Sequence, residues 1–134
     1  MSVIIIFLTP IYTTAEPLNV EIFDVKSEQV LKTVPKTQAM QNEIKHFVDH
    51  INDRYQGINP VPKSGYMIKI PLDPHLKVDN EWLTSEIDIV IIIIPEDEKP
   101  YLITFDQEDR PRVFLFEANI DDLLNEINFK PCDQ

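Results

Sequence analysis

The apolar pattern is strongest at Ile87 to Ile94, which reads IDIVIIII. A β-branched run of that length predicts a central strand covered on both faces. Two shorter apolar runs follow, Tyr101–Phe105 and Val113–Phe116, set off by the turn-rich breaks Pro95–Pro100 and Asp106–Pro111. Three strands joined by short polar turns make an antiparallel meander. Upstream, Gly65–Leu72 (GYMIKIPL) alternates well enough for a strand, and Asp73–Thr84 reads as a long connection with Trp82 in it. Leu18, Val20, Ile22 and Phe23 roughly alternate with polar residues, which predicts a half-buried strand over Leu18–Val25. Val30, Leu31 and Val34 continue that strand or form a second one ending at Pro35.

The period changes between Thr37 and Gln56, where Met40, Ile44, Phe47, Val48, Ile51 and Tyr55 follow the spacing of one apolar helix face. Gly57 is placed to be the residue after the helix end, where a left-handed backbone suits glycine. A last, short helix is expected after Asn119. It has Asp121 and Asp122 in its first turn, and Ile120, Leu123, Leu124 and Ile127 on one face.

The predicted fold is therefore α+β: a mostly antiparallel sheet of four to five strands with a C-terminal meander, one long helix packed across it and a short C-terminal helix. That helix covers the other face or an edge. The layout resembles the cystatin-like architecture, in which a long helix packs on an antiparallel meander, by analogy of element order alone. The Gln-x-Val-x-Gly loop of the inhibitory cystatins is absent, so protease inhibition is not implied.

The first fifteen residues stand apart from this domain of residues 16–134. Val3–Ile11 reads VIIIFLTPI, too short to span a bilayer but suited to the apolar region of an export signal cut after Ala15. No basic residue precedes Lys26, so the positive flank of such a signal is missing unless the start lies further upstream. The competing reading is a first β-strand, opposed by Pro10. Export is the leading expectation and a cytoplasmic protein the alternative.

Charge narrows the partners. The chain carries 12 basic against 23 acidic residues, a formal charge of −11. Nucleic acids and anionic membrane surfaces are repelled by such a field, whereas basic proteins, cationic peptides and divalent metals are attracted. No stable transmembrane span is expected. The single cysteine, Cys132, allows neither an internal disulfide nor a cysteine-based zinc site.

Candidate chemistry is sparse. His46 and His50 lie four residues apart on the long helix, so both imidazoles face one side, grouped with Glu43 and Asp53 opposite the apolar stripe. The position a general-base Glu occupies in the zinc-protease motif holds Phe47, so this is at most a surface metal site. Acidic clusters at Asp73…Glu81 and Asp106–Asp109 read as solvated turns, with calcium the alternative. With only Gly57 and Gly65 in the chain, no nucleophile elbow, phosphate loop or dinucleotide fingerprint can form. No catalytic residue and no cofactor is assigned. Pro60 and Pro62 form a stiff, extended stretch, and with Tyr66 and Trp82 they make the expected interaction surface for a protein or peptide. Three functions stay open: an exported, non-catalytic binding domain, an acidic cytoplasmic inhibitor of a basic toxin or enzyme, and a weak metal binder through His46 and His50.

Overall fold

The computed structural model describes residues 18–131. The apolar segment Val3–Ile11, and Cys132, lie outside the described residues. The described residues form seven strands and two helices. They are β1 (Asn19–Asp24), β2 (Gln29–Pro35), α1 (Gln38–Asp49), β3 (Ile51–Arg54), β4 (Gly65–Asp79), β5 (Thr84–Pro95), β6 (Tyr101–Phe105), β7 (Pro111–Phe116) and α2 (Asp121–Glu126). All strands join one antiparallel sheet in the order β2-β1-β4-β5-β6-β7-β3. The class is α+β, as the sequence pattern requires, but the sheet has seven strands where four to five were expected.

The pairing sequence makes β2 and β3 run in the same direction at opposite edges of the sheet. Their connection must cross a whole face, and α1 is that crossing. Thr37 starts it, its hydroxyl accepting a hydrogen bond from the Met40 amide at 3.2 Å. Met40, Ile44, Phe47 and Val48 are buried against the sheet, and the Phe47 ring stacks on Phe116 with centroids 4.9 Å apart.

The helix ends at Asp49, seven residues short of the expected Gln56, and Ile51–Arg54 becomes edge strand β3. The physical reason lies in the spacing. Ile51 and Tyr55 fit a helical stripe, yet each gains burial by leaving it: Ile51 pairs with Phe116 in the main core, while Tyr55 stacks on Tyr101 across the sheet. Asn52 and Asp53 between them are poor helix formers. Gly57 is consequently not a helix terminator. A Cβ there would lie 2.3 Å from the Tyr55 ring, so any larger residue would have to displace that ring from its stack on Tyr101.

β4 corrects a second expectation. The segment read as a connection, Asp73–Thr84, continues β4 to Asp79, turns, and enters β5 at Thr84. The ladder slips between Pro71 and Leu76, as a strand carrying Pro71 and Pro74 must. The buried side chain of Gln41 bridges the gap from α1. Its Oε1 accepts from the Asp73 amide at 3.0 Å and its Nε2 donates to the Pro74 carbonyl at 2.9 Å. Lys36 Nζ donates to the same Oε1 and, at 3.0 Å, to the Asp73 carbonyl. Partial burial holds the Lys36 amine below its ordinary pKa, an effect Asp73 opposes.

α2 also departs from expectation. Asn119 does hydrogen-bond the start of the helix, its Oδ1 accepting from the Asp121 amide at 2.8 Å, but the cap position is Ile120. Leu123, Leu124 and Ile127 pack into the same core as α1, so both helices share one face of the sheet. β5 is thus central without being covered by helix on both sides. Val90 and Ile92 lie beneath α1 and α2, whereas Ile91 and Ile93 belong to a separate cluster to which, among the described residues, neither helix contributes.

Candidate binding surface

The helix-free face is aligned by register. Met67, Ile93, Tyr101 and Leu115 are direct cross-strand neighbours in one row across β4–β7, and Lys69, Ile91, Ile103 and Val113 form the next. Ile93, Tyr101 and Ile103 are buried, while Met67, Ile91, Phe105, Val113 and Leu115 are half-buried. Lys69 is the only charged residue in the two rows.

A loop from Gln56 to Ser64 runs along the margin of this face. It is held at several points. The Tyr101 hydroxyl donates to the Pro60 carbonyl at 2.7 Å, and the Asn59 side chain accepts from the Val61 amide at 3.0 Å. Tyr55 stacks on Tyr101 with centroids 4.3 Å apart, and its hydroxyl reaches the Asn59 carbonyl at 3.4 Å. Ser64 Oγ donates to Glu96. Burial first, then the neighbouring Tyr55 and Glu98, push the Tyr101 hydroxyl far above its ordinary pKa of 10.0, so it stays a donor. The chain's two glycines bracket the loop. At Gly65, with φ of 119°, a Cβ would lie 2.2 Å from the Ile94 carbonyl oxygen.

A loop pinned in this way nevertheless presents Ile58 fully to water and leaves Val61 about half exposed. Burial of either side chain by a partner is worth about 1.5–3 kcal/mol. Two prolines and a tyrosine clamp limit the entropy such an encounter would cost.

The four residues expected to form one interaction surface are dispersed. Pro60 and Pro62 belong to the loop just described. Tyr66 lies on the opposite, helix-bearing side, its ring edge-on to Phe129 at 5.1 Å. Trp82 is at the far end of β4, partly buried against the main core in a turn shaped by Asn80, whose Oδ1 accepts from the Trp82 and Leu83 amides, both at 2.9 Å. The sequence reading singled out this loop by its prolines. It missed Ile58 and Val61, the side chains the loop exposes, and Tyr55 and Tyr101, which hold it.

His46 and His50 do share a helix face, with ring centroids 4.1 Å apart. His50 Nδ1 lies 2.7 Å from the His46 carbonyl, which leaves only Nε2 of that ring for another partner. Asp53, grouped with them on a longer helix, sits in β3 instead. Among the described residues no three His, Cys, Asp or Glu side chains are gathered as a metal would need. The Asp106 cluster is a turn. Asp106 accepts from the backbone amides of Arg110 and Glu108 and from the Arg110 side chain, and these bonds, the Arg110 amide first, hold its carboxyl below the ordinary range.

A cleft of about 720 Å³ opens at the other end of β4, lined by Asp24, Ser27, Ser64, Tyr66 and Glu96 among others. No helix among the described residues is long and apolar enough to cross a membrane. No protein-family model, curated protein or solved structure matches the chain.

Proposed function

We propose that this chain is a non-catalytic, exported protein-binding domain and that the Gln56–Ser64 loop is its contact element. The observation that carries the reading is the exposure of Ile58 and Val61 on a loop fixed by the Tyr101–Pro60 hydrogen bond. Binding residues concentrate on loops positioned by a rigid scaffold, and this loop starts and ends on the sheet. With a formal charge of −11, long-range attraction favours a basic protein or peptide. Ile58 and Val61 then supply the apolar anchor, and the acidic surface speeds the encounter.

A photo-crosslinking amino acid at position 58 tests the assignment. The expected product is a salt-sensitive adduct with one protein of the medium or cell envelope, and Ile58→Asp with Val61→Asp should weaken the isolated complex about tenfold or more. Crosslinking only to cytosolic protein, by a chain that still starts at Met1 or Ser2, would favour the cytoplasmic inhibitor. Absence of any specific adduct would remove the loop from consideration.

A further inference from the structure

We propose that Arg54 and Arg112 form a binding site for a small oxyanion, a carboxylate or phosphate group carried on an apolar body, at the corner of the sheet where β3 ends. This goes beyond the loop reading and does not depend on it.

The pairing of β3 with β7 creates the site. Arg54 is opposite Phe114, and Arg112, two residues earlier on β7, is opposite Thr104 of β6. Phe114 belongs to the main core and Thr104 is opposite Val90 of that core, so both arginines lie on the helix-bearing face. Residues offset in this way on neighbouring strands are about 7–8 Å apart, close enough for two side chains as long as arginine to reach one ligand. β3 stops at Arg54, and the Tyr55 amide makes the last bond across, to the Val113 carbonyl at 3.1 Å. β7 begins earlier, at Pro111, and there no strand lies on its outer side among the described residues. The notch that results is a concavity of about 390 Å³ lined by Arg54, Tyr55, Pro111, Arg112, Val113 and Phe114. Small-molecule sites begin at about 300 Å³.

Charge points to the ligand. The chain has three arginines, Arg54, Arg110 and Arg112, and all lie at this corner. Arg110 is neutralised within its own turn, 3.0 Å from Asp106 and 3.4 Å from Glu108. The Arg54 and Arg112 side chains have no ion pair or hydrogen bond among the described residues. Asp53, next to Arg54, is opposite Leu115 and so faces the other side of the sheet.

Like charges set side by side across a strand pair destabilise it, and a half-buried guanidinium such as Arg112 cannot escape by losing its proton. In a chain with 23 acidic residues, no carboxylate lines the notch that would offset the pair. An oxyanion supplies that charge, because each guanidinium offers a planar fork of donors matched to two acceptor oxygens. Tyr55, Pro111 and Val113 add an apolar wall, which favours an anion with an organic body over a bare ion. The formal charge of −11 repels polyanions, so the ligand is a small molecule and not a nucleic acid or an anionic membrane.

The test is a titration of the full chain with phenyl phosphate and with benzoate at physiological ionic strength, read by NMR at the arginine Nε–H signals. Saturable shifts are expected at Arg54 and Arg112, with Arg110 little changed. Tighter binding of phenyl phosphate assigns the site to phosphate esters, and tighter binding of benzoate assigns it to carboxylates. Arg54→Gln and Arg112→Gln should each weaken the preferred probe about tenfold or more. Arg112→Lys, which keeps the charge and loses the fork, should weaken it as well. Lys45→Gln, on the exposed side of α1, should leave the affinity unchanged. If Arg112→Gln fails to fold, the exposed Arg54→Gln decides alone. Absence of saturable binding for both probes, or binding that the glutamine variants retain, overturns the proposal.

Discussion

Alternate residues of the same strands build two different surfaces. On β5, Val90 and Ile92 point into a core sealed by two helices, while Ile91 and Ile93 point into one bordered, among the described residues, by strands and the Gln56–Ser64 loop. The amino acids are the same, β-branched and apolar on both sides. What differs is the covering layer. Along the covered side, Ile22, Ile68, Ile70, Ile92, Leu102 and Phe114 are all within 1% of complete burial. On the other side burial is complete near Tyr101 and lessens outward to half-buried Met67, Phe105 and Val113. One side of the sheet is therefore sealed beneath the helices, and the other is closed at its centre and looser at its margin.

The comparison is tested most sharply by paired truncations. Phe47→Ala removes a fully buried ring stacked on Phe116 and should cost about 3–5 kcal/mol, whereas Val113→Ala, at the half-buried margin of the other face, should cost about 1 kcal/mol or less. Urea unfolding of both variants at low protein concentration measures the difference, and equal losses would abolish the distinction drawn between the faces.

Gln41→Leu probes how the covered side tolerates the interrupted ladder of β4. It strands the Asp73 amide and the Pro74 carbonyl, and a loss of about 2 kcal/mol is expected. Hydrogen exchange should quicken at Asp73 before it does at Ile68 or Ile92. Unchanged exchange at Asp73 would show that the bulge is held without the glutamine.

Tyr101 gives the smallest effect, on the open side. Its folded-state pKa is raised, so the folded chain keeps this proton at a pH where the unfolded chain has lost it. Its contribution is complete below the unfolded value of 10.0 and declines as pH rises beyond it. Tyr101→Phe should cost about 1 kcal/mol near neutrality through the lost Pro60 bond, and flatten the fall in stability above pH 10. Thermal denaturation of both proteins from neutral to alkaline pH reads this directly. Parallel curves would mean that the tyrosine is not what holds the loop.

The metal and interaction residues were legible to different degrees, for reasons visible in the chain. His46 and His50 share a face because four residues make about one helical turn, and only the sequence was needed for that. Their grouping with Asp53 depended on the helix continuing past His50, which local spacing could not decide. Tyr66 and Trp82 fell on separated parts of the molecule because β4 is 15 residues long, running through two prolines that read as chain breaks.

The sequence alone determined the strands that are strongly apolar and bounded by turns, namely β5, β6 and β7, the start of α1 at Thr37, and the surplus of carboxylates. Each of these is a local property, a period or a count, and needs no distant contact. The tertiary structure decided that α1 stops at Asp49, that β3 completes the sheet beside β7, that Gln41 mends β4, and that both helices fall on one side. Those outcomes turn on competition between alternative burials of the same residues, Ile51 against Phe116 rather than on a fourth helical turn, and that competition exists only once distant strands have come together.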